Sequence, residues 1–198
     1  MKREKEMKIA VIDADLLGRR RHRFPNLVCE KISGYYKQVV KLPPENVVLK
    51  TDYEHLEEFD RVFIAKVFTD TPVPEWLQHV SQPKELLIRV GRPDAGALPV
   101  EKWLEKTVGY KINGKIPVNV GGTGFFFDRA PNLPDVIEHC MPDYRLYDNW
   151  IEEKVEQAKK KAESEGREFH RSRFLVQFKE YLEYSIGYLT RGCFRHCG

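Results

Sequence analysis

Two cysteines near the end of the chain stand at a spacing that can hold metal. The last stretch reads Tyr184-Ser185-Ile186-Gly187-Tyr188-Leu189-Thr190-Arg191-Gly192-Cys193-Phe194-Arg195-His196-Cys197-Gly198, which places Cys193 and Cys197 in C-x3-C. One more residue and a third cysteine would complete C-x3-C-x2-C, three thiolates for a cubane iron–sulfur cluster. Two ordinary thiols, or a disulfide formed on oxidation, are the plainer alternative. A clustered pair in a reducing compartment is more often a metal or redox feature than a structural disulfide.

Two further groups could bind a ligand. Asp13-Ala14-Asp15-Leu16-Leu17-Gly18 follows the first apolar run, and Gly121-Gly122-Thr123-Gly124 follows another. Both fall where a strand would end, the edge at which open α/β sheets place ligands. The glycines serve either a tight turn needing positive φ or a close backbone approach to a ligand. Arg19-Arg20-Arg21-His22-Arg23 is either a solvated loop or a loop for phosphate or a partner. Arg191, Arg195 and His196 either keep the cysteine loop soluble or favour the reduced form of an anionic cluster. His22, His55, His79, His139 and His170 have no partner at metal spacing and read as surface or satisfied residues.

The elements that must position these groups alternate between strand and helix. Lys8 to Asp13 is a compact β-branched run of the kind that forms a buried parallel strand. Val47 to Leu49, Asp60 to Phe68, Glu85 to Gly91 and Pro117 to Phe125 are the next strands. Between them, Asn26 caps a helix over 27–38 whose core face carries Val28, Ile32, Tyr35 and Tyr36. Shorter helical stretches start at His55, Glu75, Val100 and Asn132. This alternation predicts an α/β fold with a flavodoxin-like or Rossmann-like parallel sheet flanked by helices. From Trp150 to Glu165 the composition turns to Glu, Lys and Ala, an exposed helix with opposite charges at helical spacing. A second helix over 169–181 carries Phe174, Leu175 and Phe178. The expected organisation is a Rossmann-like domain over 1–145, a helical linker over 146–182 and a separate strand and cysteine loop over 183–198.

Composition narrows the function classes. The 198 residues are 41% hydrophobic and 12% aromatic, enough for a real core, and the net charge of +3 is too small to imply nucleic acid by itself. No apolar run reaches the roughly 18–20 residues that span a bilayer. The polar start, Met1-Lys2-Arg3-Glu4-Lys5-Glu6, gives no secretory signal. A cytoplasmic protein with a small-molecule or peptide substrate is the expectation.

Several of these stretches, in order, resemble one family, the radical S-adenosylmethionine (SAM) proteins. They are Lys8 to Asp13, Phe24-Pro25-Asn26-Leu27 with Lys31-Ile32-Ser33, Asp60 to Phe68, Gly121 to Phe125, Leu133 to Glu138 with Pro142-Asp143-Tyr144, and Tyr188 to Cys193. The resemblance implies a domain similar to a cobalamin-binding one, followed by the first strand of a partial (β/α) barrel. It implies that Cys193 and Cys197 ligate a [4Fe–4S] cluster whose open iron takes SAM. One electron to the sulfonium then yields a 5′-deoxyadenosyl radical.

Two departures limit what the resemblance carries over. The third cysteine and the rest of the barrel are absent, so the expectation is a fragment cut inside its cluster loop, inactive by itself and with no cofactor bound. The histidine-ligating cobalamin domain carries D-x-H-x-x-G, and here the frame Asp13-Ala14-Asp15-Leu16-Leu17-Gly18 holds Asp15 in place of the histidine. A carboxylate replaces imidazole poorly on cobalt, which favours a domain kept for architecture or substrate contact over one that binds cobalamin. Asp13, Asp15, Gly121, Gly122, Thr123 and Gly124 are the candidate cofactor-binding residues, and no catalytic residue is assigned. The alternative reading is a small-molecule-binding or protein-interaction module without catalysis. Tyr184 to Thr190 without barrel partners would be an edge strand, and such a strand invites pairing with the sheet or with a second copy of the chain.

Overall fold

The computed structural model describes residues 7–19, 24–80, 99–127, 130 and 132–185. Its centre is a five-stranded sheet. The strands are β1 (Ile9–Asp13), β2 (Val47–Leu49), β3 (Arg61–Ala65), β4 (Val108–Ile112) and β5 (Ile116–Gly121), in spatial order β2-β1-β3-β5-β4. The four strands β2, β1, β3 and β5 are parallel, and β4 runs antiparallel to β5 at one edge. The expected α/β class is present, and the sheet is mostly parallel rather than wholly so. The expected strand Glu85 to Gly91 lies outside the described residues.

The helices are α1 (Ala14–Gly18), α2 (Leu27–Gly34), α3 (Glu75–Gln78), α4 (Val100–Lys106), α5 (Thr123–Phe126), α6 (Asp135–Glu138), α7 (Asp148–Ser164), α8 (Arg171–Leu175) and α9 (Lys179–Leu182). The Asn26 side chain accepts from the Val28 N–H and caps α2 as expected. Past Gly34 the helix widens into a π turn over Tyr35–Val39.

Side chains alternate along each inner strand, and both faces of the sheet are covered. On one face Ile9, Val11, Phe63 and Ala65 meet Cys29 and Ile32 of α2, Trp103 of α4 and Ile137 of α6. On the other, Ala10, Ile12, Val62, Ile64, Val118 and Val120 meet Leu77 of α3 and Phe126 of α5. Tyr147, Ile151, Phe178 and Tyr181 belong to the first of these clusters. The segment 146–182 therefore shares the core of the α/β unit. Among the described residues no helix is long and apolar enough to cross a membrane.

The chain leaves β1 to form β2 on one side and returns to form β3 on the other, so β1 and β3 flank a switch point of the kind at which open sheets hold ligands. The register sets Asp13, Ala65 and Gly121 in one row along the carboxyl rim.

Candidate functional site

The rim is built from the ends of β1, β3 and β5. Asp13 is the last residue of β1 and caps α1, its Oδ1 accepting from the N–H groups of Asp15 (3.1 Å) and Leu16 (3.3 Å). Its Oδ2 accepts from the Tyr147 hydroxyl at 2.9 Å. Asp15 faces inward. Its Oδ2 accepts from Val67 N–H at 2.6 Å, and its Oδ1 accepts from Phe68 N–H at 3.3 Å and from the Thr71 hydroxyl. Both aspartates have 0% exposure. Two carboxylates two residues apart are tolerable in the interior because hydrogen-bond donors face each of them.

The partners of Asp15 explain where β3 stops. The sequence predicts a strand through Phe68, whereas β3 ends at Ala65. Beyond it the chain leaves the ladder, and the Val67 and Phe68 amides turn to Asp15. Gly18 lets this loop approach. A Cβ there would lie 2.8 Å from the Pro72 carbonyl oxygen.

The glycine cluster holds the same segment from its other side. Lys66 N–H donates to the Gly121 carbonyl (3.1 Å), Gly124 N–H donates to the Lys66 carbonyl (2.9 Å), and the Thr123 hydroxyl donates to the Val67 carbonyl (2.9 Å). Gly122 has φ +101°, and a Cβ on it would collide with the Lys66 carbonyl. A Cβ on Gly124 would lie 2.8 Å from the Phe68 carbonyl. The close approach at Gly122 and Gly124 is thus to the protein's own backbone. Gly121 differs, with nothing within 4 Å of where a side chain would project.

The structure therefore brings Asp15, Gly121, Gly122, Thr123 and Gly124 together around residues 66–71, with Asp13 beside them on β1. It does not offer Asp15 as a ligand to cobalt. A cobalt ligand must present a lone pair to open space, and this carboxylate is fully enclosed with both oxygens engaged. Cys193 and Cys197 lie outside the described residues, as does all of the expected terminal strand except Tyr184 and Ser185. Among the described residues no group of three or more His, Cys, Asp or Glu side chains is arranged to hold a metal ion.

The other two cysteines are not thiolate donors. Cys29 is fully buried with its Sγ 3.7 Å from the Ile12 carbonyl oxygen, and burial among carboxylates pushes its thiol well above the usual range. Cys140 donates to the carbonyls of Ile137 (3.0 Å) and Lys31 (3.2 Å), and burial raises it as well.

A second polar group lies beneath the rim and was not expected. Tyr147 hydroxyl accepts from Asn26 N–H at 2.9 Å while donating to Asp13. Glu30 of α2 is 1% exposed, and its Oε2 has no hydrogen-bond partner among the described residues. Burial, with Asp143 and Asp13 nearby, raises its carboxyl to about 8. Asp143 accepts from Ser33 hydroxyl (2.6 Å) and Lys37 ammonium (2.7 Å), and its N–H donates to the Glu30 carbonyl (2.9 Å). The signal in the sequence was polar residues at core spacing along α2 and its cap, namely Asn26, Glu30 and Ser33.

Comparison of the chain with protein-family models, with curated proteins and with solved structures found no match.

Proposed function

We propose that this chain is the α/β module that precedes the catalytic centre of a radical SAM enzyme, with Cys193 and Cys197 as two of the three thiolates of its [4Fe–4S] cluster. One observation carries the reading. Those of the resembling stretches that lie among the described residues are bonded to one another in the fold. Phe24 to Leu27 meets Lys8 to Asp13 through Tyr147, which bonds both Asn26 and Asp13. Lys31 to Ser33 meets Leu133 to Glu138 through the Lys31–Glu138 ion pair (2.5 Å), and meets Pro142 to Tyr144 through Ser33 and Asp143. Asp60 to Phe68 meets Gly121 to Phe125 through Lys66 and Gly124.

On this reading Asp13, Asp15 and the glycine turn are positioning residues that shape the rim of the sheet. The bound cluster would supply one electron to the sulfonium of SAM. Cys29 and Cys140, held in the core and by carbonyls, are not part of the proposed ligand set. The test is anaerobic iron and sulfide reconstitution of the full-length protein. A broad visible absorption that is lost in Cys193→Ala and in Cys197→Ala supports the proposal, and a colourless reconstituted protein overturns it.

A further inference from the structure

We propose that Lys66 is the anion-binding residue of a ligand site at the carboxyl rim of the sheet, where it receives the phosphate or carboxylate group of a small molecule. Lys66 directly follows β3 and is 7% exposed. Its backbone is fixed at both ends by Gly121 and Gly124. Its stem lies against Gly124, where a Cβ would meet Lys66 Cγ at 2.5 Å. So placed, the side chain has little freedom to swing out to bulk water.

The charge at its end is uncommitted. Lys66 ammonium lies 5.4 Å from the centroid of the Phe125 ring, and among the described residues it forms no ion pair or hydrogen bond. The carboxylates of the rim are spoken for. Asp13 serves Tyr147 and the first turn of α1, Asp15 serves Val67, Phe68 and Thr71, and Asp70 pairs with Arg19 at 2.6 Å. A ring face replaces only part of the hydration that an ammonium loses on burial. The ammonium is not among the polar atoms that the fold seals off completely. An oxyanion there would gain a charge-assisted hydrogen bond in a partly desolvated setting.

The surroundings fit a ligand with an apolar body. Val67 is 40% exposed and Phe68 47%, with the Arg19 guanidinium 4.3 Å from the centroid of the Phe68 ring, so partly open apolar side chains follow the buried cation along the chain at the edge of the sheet where α/β domains hold ligands. The site rests on the α/β unit alone, and its failure would leave the iron–sulfur proposal standing.

The test uses the 198-residue chain, titrated with inorganic phosphate and, separately, with acetate, each at constant ionic strength with chloride as the control. Binding is followed by calorimetry and by the backbone amide resonances of Gly121, Thr123 and Lys66. Saturable binding of at least one anion in the parent, at least about tenfold weaker in Lys66→Met and retained in Lys66→Arg, supports the site. The arm that binds tells phosphate from carboxylate. Equal response in parent and Lys66→Met, or no saturable response to either anion, overturns it. Circular dichroism establishes that Lys66→Met folds. Should it not, a saturable shift of those three amides in the parent decides for the site, and shifts spread evenly over lysine-bearing surfaces decide against it.

Discussion

The Tyr147 hydroxyl donates a 2.9 Å hydrogen bond to Asp13, joining the residue that leads into α7 to the last residue of β1. The same oxygen accepts from Asn26 N–H, so one side chain ties the first strand, the cap of α2 and the start of the long helix. Tyr147 is 1% exposed, and no water can replace it without opening the core.

Tyr147→Phe should therefore cost more than the loss of one hydroxyl on the surface. Asn26 N–H loses its acceptor and Asp13 loses one donor, both in the interior, for an expected destabilisation of about 2 kcal/mol. Tyr110→Phe, at a position 41% exposed, should change stability by less than about 0.5 kcal/mol. Urea unfolding of the two variants checks the contrast. Equal stabilities would mean that the bond network under the rim does not tie the elements together.

Asp15→Asn tests the inward carboxylate. Asparagine offers one acceptor oxygen and places an amide NH2 where two N–H groups and a hydroxyl now converge. At least one buried donor is left unpaired, and the expected loss is about 2–3 kcal/mol. Asp15→His, which restores the residue of the cobalamin-binding pattern, should destabilise the fold without conferring cobalamin binding, because imidazole must enter a fully enclosed position. A cobalamin spectral shift on addition of Asp15→His would show that the position opens to a ligand after all.

Much of the sheet was legible in the sequence because β1, β3 and β5 are apolar runs rich in β-branched residues. β4 was not read, since Gly109, Tyr110 and Lys111 interrupt any apolar run there. The available signal was Asn113-Gly114, a strong hairpin dipeptide, and both residues do have positive φ, 51° and 68°. The candidate residues were legible as the ends of strands, but their partners were not. Asp15 finds its donors 52 and 53 residues on, and Asp13 finds Tyr147 134 residues away. Local pattern locates the end of a strand only to within a few residues, as β3 and β5 show. Only the packed fold decides whether a carboxylate there faces a ligand or the chain itself.

The glycine turn separates backbone requirement from open space. Gly122→Ala forces a Cβ into the Lys66 carbonyl at φ +101°, and backbone on both sides leaves little room for relief. Loss of more than about 2 kcal/mol is expected. Gly121→Ala meets nothing within 4 Å and should stay within about 1 kcal/mol of the parent. Thermal unfolding of the pair decides the matter, and a Gly121 variant as damaged as the Gly122 one would contradict the open space at that position.

Glu30 makes stability depend on pH in a defined direction. Its carboxyl titrates at about 4.5 in an unfolded chain and about 8 in the fold. Between those values the native state keeps a proton that the unfolded state has shed. The native state therefore binds more protons, and the contribution of Glu30 to stability falls as pH rises through that window. Glu30→Gln cannot ionise and removes the fall. Relative to the parent, the variant should gain stability from about pH 5 to about pH 9, by about 4 kcal/mol over that range, since each pH unit inside the window contributes roughly 1.4 kcal/mol. Asp13 and Asp143 remain in both proteins, so the difference isolates Glu30. The measurement is urea unfolding of both chains at several pH values. A difference that stays flat across the window would show that Glu30 is ionised in the fold, with its Oε2 reached by a donor.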